Sequence, residues 1–325
     1  MKKDLMKQAV ALTLAVLTLG GSASALFGKK QTETAAGAPI AREVTITTYR
    51  GIPVQGQFLA SDSEGDDMTY AVVQQPRKGT VTIDGVNFTY TPKDRAVGGD
   101  SFTYTATDSA GHASAPATVT VTIEKTKSGV TYADMAGSKA AVAAQHLAEE
   151  GVFTGVQMGG QYYFQPDQTV SRSEFLVMAL ETAGREVTAV TMTGFCDDAV
   201  IPTWAKAYAA AGAADGIVCG KPTAEGAAFS GEDPITFNQA ATILDRMLDL
   251  GDVDLDVWYA DREAVPSWAA QAVGNMEAVS VLSAGSFGSA AMAAPVTRAD
   301  AAQMLSAVKT LLDGEETPGL FGWLK

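Results

Sequence analysis

The sequence predicts a multidomain chain: an all-β sandwich followed by an all-α unit of three helical repeats. Three observations predict it. Apolar residues alternate with period two across residues 42–125. A helix-start pattern of the capping-box kind then recurs as Val170-Ser171-Arg172-Ser173-Glu174, Ile235-Thr236-Phe237-Asn238-Gln239 and Val296-Thr297-Arg298-Ala299-Asp300. Aromatic-x-Asp turns recur at Tyr132-Ala133-Asp134, Phe195-Cys196-Asp197 and Tyr259-Ala260-Asp261, with the Asp residues 63 and 64 positions apart.

Length and composition bound what the chain can do. With 325 residues there is room for two or three domains. A hydrophobic share of 46% and a charged share of 18% describe a folded chain. The formal charge of -14 argues against nucleic-acid binding, which needs a basic face. It leaves room for a local cationic pocket that takes an acidic polymer. His112 and His146 are the only histidines, so a His-based metal centre or a Ser-His-Asp triad is poorly supplied. Cys196 and Cys219 flank a predicted helix of roughly a dozen residues, about 18 Å long, whereas a disulfide needs Cα atoms within about 7 Å. Two buried thiols are the expectation; loops folding back to allow a bridge are the alternative.

Residues 1–25 form a three-part secretory signal. Met1 to Lys7 is basic, Ala9 to Leu19 is apolar or small apart from Thr13 and Thr18, and Ala23-Ser24-Ala25 supplies the cleavage site. The apolar run is too short for a membrane anchor, which needs about 20 residues. No later segment is long and apolar enough to span. The expected mature protein is therefore exported and soluble. Residues 26–41, rich in Ala, Thr and Gly, read as a flexible linker.

Residues 42–125 read as about seven short strands. Val81-Thr82-Ile83, Asp84-Gly85 and Val86-Asn87-Phe88-Thr89-Tyr90 predict a hairpin with a type I′ turn. Phe102, Tyr104 and Ala106 alternate with Thr103 and Thr105. Val119, Val121 and Ile123 alternate with Thr118, Thr120 and Thr122. No Cys-Trp-Cys pattern of an antibody domain is present. The runs Ala60 to Tyr70, Gly79-Thr80-Val81-Thr82-Ile83 and Asp100 to Asp108 resemble the bacterial immunoglobulin-like and cadherin-like modules of surface proteins. That resemblance implies a spacer or adhesion module. Asp62, Glu64, Asp66 and Asp67 read first as a solvated acidic turn between strands; their hard oxygen atoms, suited to Ca²⁺, give the alternative of a cation site.

A short linker, 126–130, leads to repeats at 131–188, 189–252 and 253–313, with a tail at 314–325. Each repeat reads as helix–loop–helix. First helices are expected from Ser138-Lys139-Ala140, Thr203-Trp204-Ala205 and Ser267-Trp268-Ala269, ending near Gly151, Gly216 and Ser280. The glycines suit a left-handed residue past the helix end, and Ser280 suits it less well. The capping boxes then open the second helices. Arg172 and Arg298 are out of place on stability grounds, because a cation in the first turn meets the positive end of the helix dipole. With the helix-start N–H groups they outline an anion site. Pairing with a local carboxylate, Glu174 or Asp300, is the alternative.

The ordered set of motifs resembles three tandem S-layer homology (SLH) domains. It comprises the aromatic-x-Asp turns, Trp268-Ala269, Gly216-Ile217-Val218-Cys219-Gly220, Phe164-Gln165-Pro166 and Thr297-Arg298-Ala299-Asp300. The resemblance implies a pseudo-threefold helical unit that binds anionic, often pyruvylated, secondary cell-wall polysaccharide in grooves between repeats. Carried over, Arg172 and Arg298 take the ligand carboxylate, helped by helix-start N–H groups capped by Ser171 and Thr297. Trp204 and Trp268 stack on sugar faces or belong to the core. Asp134, Asp197 and Asp261 brace loops. Lys139 stands where the pattern has Trp, Phe237 where it has Arg, and Met292-Ala293-Ala294-Pro295 where it has Phe-x-Pro. At most two anion sites are therefore expected.

These readings converge on an exported, non-enzymatic cell-surface protein held to the wall polymer, with no cofactor unless the acidic turn takes Ca²⁺. An exported enzyme acting on wall or carbohydrate is the second hypothesis, and it lacks a visible catalytic pair. A Ca²⁺-dependent adhesin is the third.

Overall fold

The computed structural model describes residues 37–258, 265–283 and 290–314. The predicted signal, the Tyr259-Ala260-Asp261 turn and the end of the C-terminal tail lie outside the described residues. The chain divides between Thr126 and Lys127 into two units.

In the first unit the period-two pattern becomes a two-sheet sandwich. Its strands are β1 (Ile40–Ala41), β2 (Val44–Tyr49), β3 (Val54–Gln57), β4 (Ala60–Ser61), β5 (Thr69–Gln74), β6 (Gly79–Asp84), β7 (Asn87–Pro92), β8 (Gly98–Thr107) and β9 (Ala117–Glu124). One sheet runs β2-β9-β8-β5 and the other β3-β7-β6, with β1 and β4 as a two-residue ladder. Strands β2 and β9 are parallel. Phe102, Tyr104 and Ala106 of β8 and Val119, Val121 and Ile123 of β9 are buried, and the threonines between them are more exposed. Phe58, Phe88 and Tyr90 complete the core. The buried Tyr104 hydroxyl accepts the Leu59 N–H at 3.1 Å and donates to the Arg42 carbonyl at 2.6 Å, so burial leaves it satisfied.

One expectation for this unit is corrected. The hairpin turn is Gly85-Val86, not Asp84-Gly85, because Asp84 pairs with Asn87. Only Gly85 has positive φ, 59°. That is the type II′ pattern, and it spares the β-branched Val86 a left-handed backbone. The acidic run lies in the bend between β4 and β5. Asp62 Oδ1 accepts the Glu64 N–H at 2.8 Å, and among the described residues no group of three or more metal-ligating side chains gathers.

In the second unit the first helices are α1 (Ala141–Glu149), α3 (Thr203–Ala214) and α5 (Ser267–Ala278). The second helices are α2 (Arg172–Thr182), α4 (Phe237–Leu248) and α6 (Arg298–Leu312). Each second helix starts at the residue after a predicted cap. Ser171, Thr236 and Thr297 all complete capping boxes, with Glu174, Gln239 and Asp300 reaching back. Helix α1 begins later than expected. Pro202 and Pro266 fix φ just before α3 and α5, whereas Gly137 lies ahead of α1.

Pairing between helices crosses the segment boundaries in a ring: α1 packs on α6, α3 on α2, and α5 on α4, with α2 also against α4 and α6. The ring closes through the backbone. The Val170 N–H donates to Val296 O (2.9 Å), the Val296 N–H to Ile235 O (2.8 Å), and the Ile235 N–H to Val170 O (3.0 Å). All three side chains are buried, at 1%, 0% and 0% exposure. Each of these residues precedes a capping residue, so the cycle sets three helix starts around one axis.

The predicted loops between first and second helices are hairpins in the first two segments. Strand β10 (Val156–Met158) pairs with β11 (Gln161–Tyr163), and β12 (Lys221–Thr223) with β13 (Gly226–Ala228). Gly155 is required there, since a Cβ would lie 2.4 Å from the Tyr163 carbonyl. Gly151, Gly216 and Ser280 all sit left-handed, at φ 72°, 72° and 60°. Cys196 and Cys219 are unbridged, and both are exposed rather than buried. Each lies beside a surface hairpin, not under a helix. No described helix is long and apolar enough to cross a membrane.

Candidate anion-binding site

The aromatic-x-Asp turns build the floor of the site. Asp134 accepts the Phe164 and Gln165 N–H groups at 2.8 and 2.7 Å; Asp197 accepts those of Phe229 and Ser230 at 2.7 and 2.8 Å. These paired bonds hold Gln165 and Ser230 left-handed, at φ 59° and 55°. They also fix the Phe164 and Phe229 rings, which are buried. Tyr132 and Phe153 pack edge-on to Phe164, and Phe195 stacks on Phe229. The equivalent Asp261 lies outside the described residues.

Each ring supports an arginine from another segment. The Arg298 Cζ lies 4.4 Å from the Phe153 centroid and 5.5 Å from that of Phe164. The Arg172 Cζ lies 5.5 Å from the Phe229 centroid. A ring face attracts a guanidinium and still leaves its N–H edge unspent. Arg172 is only 9% exposed, and its Nε has no hydrogen-bond partner among the described residues. Arg298 Nε and Nη2 are likewise buried and unpartnered. Burial pushes both guanidinium pKa values down; Arg246 adds to the shift at Arg172, while Glu174 opposes it at Arg298. The alternative of a local ion pair is not what the structure holds. Glu174 accepts the Ser171 N–H and Asp300 the Thr297 N–H.

The helix-start N–H groups do not join the site. Arg172 and Ser173 donate theirs to Asp233 O (2.9 Å) and Gly231 O (2.8 Å). Arg298 and Ala299 donate theirs to Gln168 O (2.8 Å) and Pro166 O (3.0 Å). Ser171 and Thr297 accept from Glu174 and Asp300. The sequence reading of an anion bound by free N–H groups is therefore corrected: neighbouring loops occupy those donors, and Ser171 and Thr297 are caps. What stays free is the guanidinium. At the third position the Phe237 N–H meets Ala294 O at 3.3 Å, with no cation beside it on the helix start.

Trp204 and Trp268 are 53% and 57% exposed, so neither is a core residue. Both occupy the second position of a first helix. Sequence reasoning missed Phe153 and Phe229 as platforms and Arg246 as a neighbour of Arg172. The recurring Asp was the signal for the platforms, since its two carboxylate oxygens must find paired donors.

Residues 36–122 match the bacterial Ig domain family. The match is confined to the sandwich and marks the first unit as an Ig-type module. No curated protein matches the chain. Among solved structures, an endo-fucoidan hydrolase of glycoside hydrolase family 107 is 20% identical, with a TM-score of 0.25 over 30% of this chain and 15% of its own. Fibronectin(III)-like modules of Clostridium thermocellum CbhA are 16% identical, with a TM-score of 0.20 over 28% of this chain and 48% of theirs. The titin M3 domain is 15% identical, with a TM-score of 0.19 over 27% of this chain and 99% of its own. This chain thus spans a small part of the hydrolase and about half of the CbhA modules.

Proposed function

We propose that the chain is an exported, non-enzymatic surface protein. Its helical unit, of the SLH kind, holds an anionic secondary wall polysaccharide, and its Ig-type module acts as spacer or display. The observation that carries this reading is the pair Arg172 and Arg298. Each is a largely buried guanidinium on an aromatic ring at a junction between segments, with buried donors unspent. Leaving such donors empty costs about 1–3 kcal/mol each, a cost that an anionic ligand removes. The exposed Trp204 and Trp268 supply flat faces of the sort that stack on sugars. The Ig-type match supports a place outside the cell, as the N-terminal signal motif does.

Retention on purified sacculi tests the reading. The chain lacking residues 1–25 should bind intact sacculi and lose binding once the polysaccharide is stripped. Arg172→Ala and Arg298→Ala should each weaken retention. Equal retention on intact and stripped walls overturns the proposal.

A further inference from the structure

The charges of the sandwich are sorted by end. Strands β2 and β9 finish together, Tyr49 pairing with Glu124, and β8 begins beside them, Gly98 pairing with Ile123. In the other sheet β6 begins where β7 ends, Gly79 pairing with Pro92. Asp100 ties the two sheets together there. It accepts the Arg77 and Lys78 N–H groups at 3.0 and 2.8 Å and the Tyr90 hydroxyl at 2.8 Å. Residues 42–125 hold seven Lys and Arg, and six of them lie at this end: Arg50, Arg77, Lys78, Lys93, Arg95 and Lys125. Arg42 alone stands at the other, ahead of β2. Asp62, Glu64, Asp66 and Asp67 of the β4–β5 bend lie at that opposite end, with Asp84 at the close of β6 and Asp108 after β8.

The clustered cations are linked through the backbone rather than to carboxylates. Lys93 Nζ donates to the Arg77 carbonyl at 2.7 Å and Lys78 Nζ to the Val97 carbonyl at 2.8 Å; the Lys93 N–H donates to the Lys78 carbonyl at 2.8 Å. An ammonium carries three donors, so one bond fixes each lysine head and two donors remain. Among the described residues none of the six cations makes an ion pair. Asp100 is taken by its three donors, which leaves Asp94 and Glu124 as the other carboxylates of this end. All six cations but Lys78 are exposed. On a chain of net charge -14, one end with excess positive charge concentrates anions at that place. Loops 50–53, 75–78 and 93–97 hold no aromatic residue, so nothing there stacks on the bases of a single-stranded nucleic acid. A second copy would bring its own net negative body, and its acidic end is partly committed: Asp62 accepts the Glu64 N–H and Asp108 faces His112 Nδ1 at 3.0 Å. A flexible acidic chain brings only the charges it lays against the cations.

We propose that the end of the sandwich built by Arg77, Lys78, Lys93 and Arg95 is a docking surface for a linear acidic polysaccharide. The Ig-type module is then a polymer holder in its own right and not a spacer alone. The inference makes no use of the buried arginines of the helical unit, so the two readings stand or fall separately.

Polygalacturonate, a linear polysaccharide with a carboxylate on each sugar, is the probe, and neutral dextran is the comparison. Both are titrated into the chain lacking residues 1–25 and carrying Arg172→Ala and Arg298→Ala, which removes the helical unit's candidate contacts. Polygalacturonate should bind at low salt and lose affinity steeply as salt rises, because exposed charges are screened; dextran should not bind. Arg77→Gln together with Arg95→Gln should weaken binding about fivefold or more, and Arg42→Gln at the other end should leave it unchanged. The Arg77 and Arg95 side chains are exposed, so neither change opens the core. Acetylation kinetics, followed by mass spectrometry on the chain with an unaltered sandwich, keep the test free of folding defects: polygalacturonate should slow modification of Lys93 and leave that of Lys221 alone. Equal binding of dextran overturns the proposal, as does an Arg42→Gln loss matching that of the double variant. Low-salt self-association that the double variant abolishes, without polygalacturonate binding, assigns the surface to a second copy and overturns it as well. Sacculus retention of the chain with Arg172 and Arg298 intact, without polygalacturonate binding in the Ala background, sinks this inference alone; binding in that background without retention sinks the wall reading and leaves this one standing.

Discussion

Arg298 and Phe153 come from the last and first segments of the helical unit, and the guanidinium carbon of one lies 4.4 Å from the ring centroid of the other. The contact ties the two ends of the unit's sequence together, in the same place where the backbone cycle through Val170 and Val296 closes. It also holds a cation with two nitrogens that are buried and have no hydrogen-bond partner among the described residues.

That arrangement predicts a trade-off. Arg298→Met keeps the stem packed on the rings and removes the unpartnered donors. The variant should gain about 1–2 kcal/mol in urea unfolding, because a buried unpaired polar group costs about that much. The same variant should lose retention on sacculi. A fall in stability would show that the guanidinium is satisfied by the fold itself.

The platforms depend on Asp134 and Asp197. An asparagine in either place keeps the shape but offers one carbonyl oxygen to two N–H donors. Asp197→Asn should therefore cost about 1.5–3 kcal/mol, the range for a hydrogen bond to a charged group. Wall retention should weaken with it as the Phe229 ring loses its fixed position. Chemical denaturation and a sacculus assay on one preparation check both.

The capping boxes were fully legible in the sequence, since a Ser or Thr with an acidic or amide partner three residues on is a local signal. So were the alternating strands β8 and β9, where ten and eight residues give period two room to register. Strands β10 to β13 were not, because three residues are too few to show a period. The site was half legible. Arg172 and Arg298 stood out as cations at the wrong helix end. Their ring partners did not, because Phe153 and Phe229 come from other segments and only the fold brings them in. The occupied helix-start N–H groups were invisible for the same reason: their acceptors, Asp233, Gly231, Gln168 and Pro166, are set by the neighbouring loop.

Acid should weaken the helical unit through Asp198. The hydrogen bond from Lys206 Nζ, at 2.6 Å, is the main cause of a carboxyl pKa lowered from 3.8 to about 2, and Thr193 adds two more bonds. A depressed carboxylate pKa contributes stability that is fully present above the unfolded value and fades as pH falls through the folded one. The loss should therefore fall between about pH 4 and pH 2. Lys206→Met should flatten that part of the stability–pH curve. An unchanged curve would remove the ion pair from the account.

Ser280 offers the sharpest stability test. It occupies φ 60° just past the end of α5, where Gly151 and Gly216 stand past α1 and α3. Its N–H donates to Glu277 O at 3.0 Å, so the left-handed turn terminates the helix in the usual way. A side chain in that region costs about 1 kcal/mol relative to glycine, from the approach of Cβ to the backbone carbonyl. Glycine gives back part of the gain by loosening the unfolded chain. The net expectation for Ser280→Gly is a rise of about 0.5–1 kcal/mol in unfolding free energy. Gly216→Ser should move the other way by a similar amount, since it imposes on α3 the strain that α5 already carries. Paired thermal melts of the two variants decide it. Shifts of the same sign would mean that the left-handed backbone is not what sets the stability of these helix ends.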